Sequence, residues 1–207
     1  MSEKRSVFVL GDSISILYGP YLKRMLSGIY NYDRKRGEDE ALKDLDRPVG
    51  ANGGDSQMVL DYLSDEYQKK SAYDLLLLNC GLHDLRTDPQ TGIKQISITL
   101  YAENLDKIVA LAKGMSNEVL WVRTTPINDK VHNHCSPGFV RYNSDVEEYN
   151  KVADEITQLH GIQTLDLYSF TCNLGKEEIY VDHVHFNEEV RAAHAAFIAG
   201  FLAAQKY

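Results

Sequence analysis

Ser13, Asp182 and His185 are the residues of this chain whose chemistry joins most readily into one function. A serine hydroxyl is a weak nucleophile until a base removes its proton. An imidazole does that work when its far nitrogen donates to a fixed acceptor, which sets the tautomer facing the hydroxyl. Asp182 stands three residues before His185, so one loop can deliver both the acceptor and the base. Ser13 lies in "VFVLGDS", where an apolar run stops at Gly-Asp-Ser, the place of a hydroxyl held up at a strand end. Taken alone, a serine at a helix start is more often a cap than a nucleophile. Asp182 and His185 ahead of an Asn187 helix start are what give it a second reading.

Acyl transfer also needs donors for the oxyanion that forms on the attacked carbonyl. The Ser13 N–H at a helix start is one, favoured by the helix dipole. Gly54, in "ANGGDS", is a second, because a residue without Cβ lets backbone approach a substrate closely. His83, in "NCGLHD", is a third. Other polar residues can border a substrate: Arg123 and Asn128 around "TTP", and His132 and His134 in "TPINDKVHNHCSPGF", the longest irregular stretch. For Arg123 and Asn128 a surface ion pair and a turn are equally good accounts.

The elements that must position these residues read as alternating strands and helices. "VFVL" (7–10), "YDLLLLNC" (73–80), "EVLWVRTT" (118–125) and the weaker "IQTLDLY" (162–168) are apolar runs closed by turn residues, as buried parallel strands are. A further short strand is expected ahead of "RPVGANGG". Between them, "SQMVLDYLSDEYQKK" starts after an Asp55 cap, "ISITLYAENLDKIVALAKG" ends at Gly114, "NSDVEEYNKVADEITQLHG" closes on Gly161, and the last helix starts at Asn187. The alternation predicts one α/β domain over residues 1–207, an open and mainly parallel sheet of about five strands with helices on both faces. Such sheets bind ligands beyond the carboxyl ends of their strands, where the segments named above fall.

Four blocks in this order resemble the SGNH (GDSL-type) hydrolases: Gly11-Asp12-Ser13, the glycine of Gly54-Asp55-Ser56, Gly81-Leu82-His83-Asp84, and Asp182-His183-Val184-His185. The resemblance spans nearly the whole chain. It implies a flavodoxin-like, three-layer α/β/α fold and a cofactor-free serine esterase. Carried over by position, Ser13 is the nucleophile, His185 the general base, Asp182 its orienter and Gly54 an oxyanion donor. The third block departs from the family pattern Gly-x-Asn-Asp: His83 stands where an asparagine amide normally donates to the oxyanion.

The polar character of Asn128, Asp129, His132, Asn133 and His134 points to a small acyl group, such as acetyl, on a carbohydrate or similar polar ester. A lysophospholipase or acyl-thioester hydrolase is the alternative, and a non-catalytic binding module on the same scaffold a further one. A phosphatase of the haloacid-dehalogenase type is disfavoured because no Asp-x-Asp pair follows the first strand. Cys80 beside His83 reads as a buried strand-end thiol, and the loop histidines with Asp182 do not make a strong metal pattern. No cofactor or metal is expected.

Composition narrows the partners. The chain has 207 residues and a net charge of -8, with 22 Lys and Arg against 30 Asp and Glu. A nucleic-acid or anionic membrane partner would want a concentrated basic surface, and the longest basic run is "RKR" at 34–36. No window approaches the roughly 18 apolar residues of a membrane span, and no secretory leader precedes "VFVL". The expected setting is the cytoplasm, with Cys80, Cys135 and Cys172 reduced. The expected partner is a small-molecule ester.

Overall fold

A computed structural model describes residues 4–135 and 138–205. Ser136 and Pro137, at the end of the long irregular stretch, lie outside the described residues. Five strands form one sheet: β1 (Arg5–Leu10), β2 (Tyr30–Arg34), β3 (Tyr73–Leu78), β4 (Ser116–Val122) and β5 (Gln163–Leu165). Their order is β2-β1-β3-β4-β5 and every pair is parallel. Val7–Leu10 and Leu75–Leu78 are buried residue after residue, because helices cover both faces of the sheet.

The order reverses direction between β1 and β3. The crossover from β1 to β2 runs one way, and those from β2 to β3, β4 and β5 run the other. Right-handed connections then place their helices on opposite faces. One layer holds α1 (Ser13–Leu26) and α8 (Glu188–Ala204), which pack on each other. The other holds α3 (Ser56–Gln68), α4 (Ile98–Met115) and α6 (Asn143–Leu159), with α4 packed between its neighbours. This is the three-layer, flavodoxin-like arrangement. Among the described residues no helix is long and apolar enough to cross a membrane.

Side-chain caps fix where the helices begin. Asp12, Asp55, Ser97 and Asn187 each accept from a backbone N–H in the first turn of α1, α3, α4 and α8.

Several boundaries differ from the sequence reading. The second strand is not adjacent to "RPVGANGG"; it lies at Tyr30–Arg34, followed by the single turn α2 (Glu38–Ala41). β4 stops at Val122 because Asn150 binds both the N–H and the C=O of Thr124 (2.8 Å each), ending the ladder. β5 stops at Leu165 because the Asp166 carboxylate accepts from Ser169 N–H and starts α7 (Leu167–Cys172). Within "TPINDKVHNHC" the chain forms α5 (Asp129–Cys135), where a loop was expected. α4 runs through Gly114 to Met115 and passes straight into β4.

Candidate active site

β1 ends at Leu10, and the chain turns through Gly11 and Asp12 into α1. Asp12 directs its side chain to Ile14 N–H (2.9 Å), and its carbonyl accepts from Ser15 Oγ (2.7 Å). Ser13 is thereby fixed as the first residue of the helix, with its N–H free of an intrahelical partner. Gly53 packs on this turn, donating to Gly11 O (2.9 Å). A Cβ on Gly53 would sit 3.0 Å from that same oxygen, a tight contact that glycine avoids.

The imidazole arrives from the other end of the chain. Residues 180–186 form a closed loop: Tyr180 and Phe186 make a β-bridge, and Val181 N–H donates to His185 O (2.9 Å). Inside the loop, Asp182 Oδ1 accepts from the N–H groups of Val184 and His185 (2.8 Å each). Its Oδ2 lies 2.7 Å from His185 Nδ1, and His185 Nε2 lies 2.9 Å from Ser13 Oγ. The carboxylate therefore orders both the loop and the ring. Burial opposes the charge on Asp182, but the His185 hydrogen bond, the His185 charge and the two N–H groups outweigh it, holding the carboxyl well below the usual range. Hydroxyl, imidazole and carboxylate thus stand in a continuous chain, with Ser13 and His185 both almost fully buried. Such a chain can pass the hydroxyl proton to the ring as the oxygen attacks a carbonyl.

Around this chain the expected oxyanion donors take different positions. Gly54 has φ +75°, and a Cβ there would meet Met58 Sδ at 2.5 Å and Pro48 Cβ at 2.9 Å. Its N–H donates to Asn52 Oδ1 (3.0 Å), and Asn52 in turn donates to Leu45 O (3.2 Å) and Arg47 O (3.4 Å). The expected donor is therefore engaged within its own loop. His83 is buried, and its Nδ1 is enclosed without a hydrogen-bond partner. Burial, reinforced by the charges of Arg86 and Arg141, pushes the ring well below its ordinary pKa, so it is neutral and carries one N–H. The next residue, Asp84, accepts from Ser56 N–H with both oxygens (2.9 and 3.0 Å), tying the third block to the start of α3. Burial raises the Asp84 carboxyl to about 7 against those hydrogen bonds.

The expected substrate contacts scatter. Arg123 is held by Asp166 (2.9 Å) and Asp154 (3.5 Å), so its guanidinium is committed to structural ion pairs. Asn128 begins α5: its Oδ1 accepts from Val131 N–H (3.2 Å), and its own N–H donates to His183 O (3.0 Å). His134 is exposed. His132 is fully buried, with Nδ1 2.7 Å from His183 Nδ1, and burial lowers its pKa to about 4. His183 Nε2 lies 3.5 Å from Asp46 Oδ2, whose pKa the His183 hydrogen bond pulls down to about 2. The two histidines thus brace the loop of Asp182 and His185 against α5. Among the described residues no group of three or more His, Cys, Asp or Glu is arranged to hold a metal ion. Cys80 is buried, and burial pushes its thiol far up, away from a thiolate.

Sequence reasoning missed Asn52, Asp46, Arg86 and Arg141. Asp46 ends the acidic stretch "GEDEALKDLD", whose composition is that of a solvated face and carries no motif. The arginines carry no motif, and only their neighbours in space mark them.

Comparison with known proteins agrees with this architecture. The fold is similar to that of a lipase/acylhydrolase from Enterococcus faecalis (TM-score 0.67, 18% identity, covering 97% of this chain and 96% of that one). It is similar to an acetyl xylan esterase from Geobacillus stearothermophilus (TM-score 0.67, 14% identity, 98% and 95% coverage). It is also similar to a carbohydrate acetylesterase from Sinorhizobium meliloti (TM-score 0.61, 16% identity, 98% and 100% coverage). No curated protein matches the sequence. The profile of the GDSL-like lipase/acylhydrolase family matches residues 9–193, nearly the whole sheet and both loops that carry Ser13 and His185. With that span matched, the chain belongs to the GDSL-like lipase/acylhydrolase family, the SGNH hydrolases.

Proposed function

We propose that this protein hydrolyses carboxylic esters through a Ser13 acyl-enzyme, and that its substrates carry a small acyl group such as acetyl on a carbohydrate or similar polar alcohol. The observation that supports the reading most is the chain from Ser13 Oγ to His185 (2.9 Å) to Asp182 (2.7 Å). Ser13 Oγ attacks the carbonyl carbon while His185 Nε2 takes its proton. Asp182 keeps Nδ1–H in place and stabilises the imidazolium. The tetrahedral intermediate collapses, and His185 returns the proton to the departing alkoxide. Water then attacks the acyl-enzyme with His185 as base, and the carboxylic acid leaves as Ser13 is restored.

The oxyanion donors in this reading are Ser13 N–H, His83 and Gly54 N–H, the last shared with Asn52 Oδ1. A neutral His83 suits the role, because it offers an N–H without a charge that would hold the ring of His185 off its proton. The small, polar substrate is supported by the polar surroundings of α5 and by structural neighbours described as a carbohydrate acetylesterase and an acetyl xylan esterase.

Ser13→Ala tests the reading. Hydrolysis of p-nitrophenyl acetate should fall by several decades, and a fluorophosphonate should label Ser13 in the parent protein and nothing in the variant. Full turnover by Ser13→Ala would refute it.

A further inference from the structure

Two arginines beside the site have no role in that chemistry. Arg141 is 2% exposed and makes one side-chain hydrogen bond, Nε to Leu82 O (2.8 Å), next to His83. Its Nη1 is enclosed without an acceptor. Arg86, whose N–H reaches His83 O (3.4 Å), donates from Nη2 to Asp46 O, and its Nε is likewise enclosed and unpartnered. Both guanidiniums lie over the ring of Phe139, at 4.6 Å for Arg86 and 4.8 Å for Arg141. Neither has a carboxylate within ion-pair distance among the described residues, whereas Arg34, as buried as Arg141, has Glu38 at 4.0 Å.

Burying a guanidinium unpaired is costly, and placing a second beside it adds repulsion. In a chain with net charge -8 this is an expensive local excess of positive charge. Burial and the neighbouring Arg86 push Arg141 down to about 9, so it remains charged at neutral pH. The nearby carboxylates of Asp12, Asp46 and Asp182 are already engaged with Ile14 N–H, His183 and His185. Arg86 and Phe139 open onto a cavity of about 260 Å³, lined also by Asp88, Ile93, Gln95 and Gly138. The Asp88 carboxylate also lines that cavity; its Oδ1 accepts from the N–H groups of Gln90 and Thr91 (2.8 and 2.9 Å), and it makes no ion pair with Arg86. What the pair lacks is a carboxylate in direct contact, and the cavity reaches the pair at Arg86 and Phe139.

We propose that Arg86 and Arg141, both set over Phe139 and bonded to the backbone at Leu82 and His83, form an anion subsite, and that the ester taken by this enzyme carries a carboxylate. The proposal rests on the ester-hydrolase reading and narrows its substrate class. A carboxylate accepts two parallel N–H bonds from a guanidinium, a geometry that a neutral sugar hydroxyl cannot match. The carboxylate can sit on the alcohol side, as in an O-acetylated uronic acid, or on the acyl side, as in a dicarboxylic acid monoester.

Two substrate pairs separate these sources. The alcohol side is tested with a methyl O-acetyl-glucuronoside against the matching O-acetyl-glucoside. The acyl side is tested with mono-p-nitrophenyl glutarate against its methyl ester. In the parent protein the anionic member of one pair should be favoured in kcat/KM by roughly tenfold to a hundredfold, the scale of one charge-assisted hydrogen bond, mostly through KM. Arg86→Met should pull that ratio towards one, and Arg86→Lys should keep part of it. Arg141→Met should do the same, and if that buried substitution fails to fold by circular dichroism, Arg86→Met decides. Equal rates on both members of both pairs would overturn the anion subsite and leave the hydrolase reading standing. If the parent protein hydrolyses p-nitrophenyl acetate but none of the four esters, the hydrolase reading stands and the substrate pairs give no ratio. Calorimetric binding of glucuronate and glutarate to Ser13→Ala then decides the subsite. Binding weakened by Arg86→Met supports it, and no binding refutes it.

Discussion

Asp182→Asn is the sharpest test of how the two ends of the chain cooperate. In the native loop Asp182 Oδ1 accepts two backbone N–H groups and Oδ2 accepts His185 Nδ1–H. An asparagine is nearly isosteric and keeps its carbonyl oxygen on the two backbone donors, worth about 1 kcal/mol each, so the loop should persist. The NH₂ group must then replace Oδ2 opposite Nδ1. Two donors cannot face each other, so the ring gives up its Nδ1 proton and carries it on Nε2, towards Ser13. In that tautomer His185 cannot take the hydroxyl proton. The expected loss in kcat is about 10⁴-fold, or about 5.5 kcal/mol of transition-state stabilisation. Asp182→Ala should cost less than the asparagine variant, because the side chain is 41% exposed and water can enter to accept from Nδ1. The assay is kcat/KM on p-nitrophenyl acetate, with circular dichroism to establish that both variants fold. If a folded Asp182→Asn retains near-parental turnover, the proton does not travel through His185 as argued.

Other consequences can be checked in parallel. His83→Ala should lower kcat by roughly 10²-fold, the scale of one oxyanion donor, and His83→Asn should recover part of that loss; unchanged kcat in the alanine variant would remove His83 from the mechanism. Gly54→Ala should destabilise the protein by about 1–3 kcal/mol in denaturant titrations, since its φ of +75° is strained for alanine and its Cβ would strike Met58 and Pro48. Burial lowers the pKa of His194 to about 4, below the unfolded value of about 6.5. Between those values the unfolded chain binds a proton that the native one refuses, so stability falls as the pH drops from about 6.5 to about 4. This one group accounts for about 3 kcal/mol of that fall, and His194→Gln should flatten the corresponding part of the stability–pH curve.

What the sequence discloses depends on whether the signal is local. "VFVL" stopping at Gly-Asp-Ser and "DHVHFN" opening a helix are short patterns with their meaning inside them. β1, the Asn187 cap and the Asp182–His185 spacing could therefore be read from neighbours in the chain, whereas the cap of α1 falls on Asp12 and not on Ser13. β2 could not, because Tyr30–Arg34 alternates polar and aromatic residues at the sheet edge and is a strand mainly through its pairing with β1. α5 was hidden because its anchors, Asn128 N–H to His183 O and His132 to His183, come from a loop fifty residues later. The engagement of Gly54 by Asn52 and the pairing of Arg86 with Arg141 over Phe139 are likewise facts of assembly. Nothing in the spacing of these residues announces them.

The bond from Ser13 to His185 closes a span of 172 residues, and the two helices that flank it, α1 and α8, lean on one another. A partly unfolded molecule, with α8 peeled away or the sheet open at β1, would hold every chemical group and still be unable to react. Catalytic output therefore works as a census of fully assembled molecules. During heating or denaturant titration it should vanish ahead of helical signal, and on refolding it should be the last property to return.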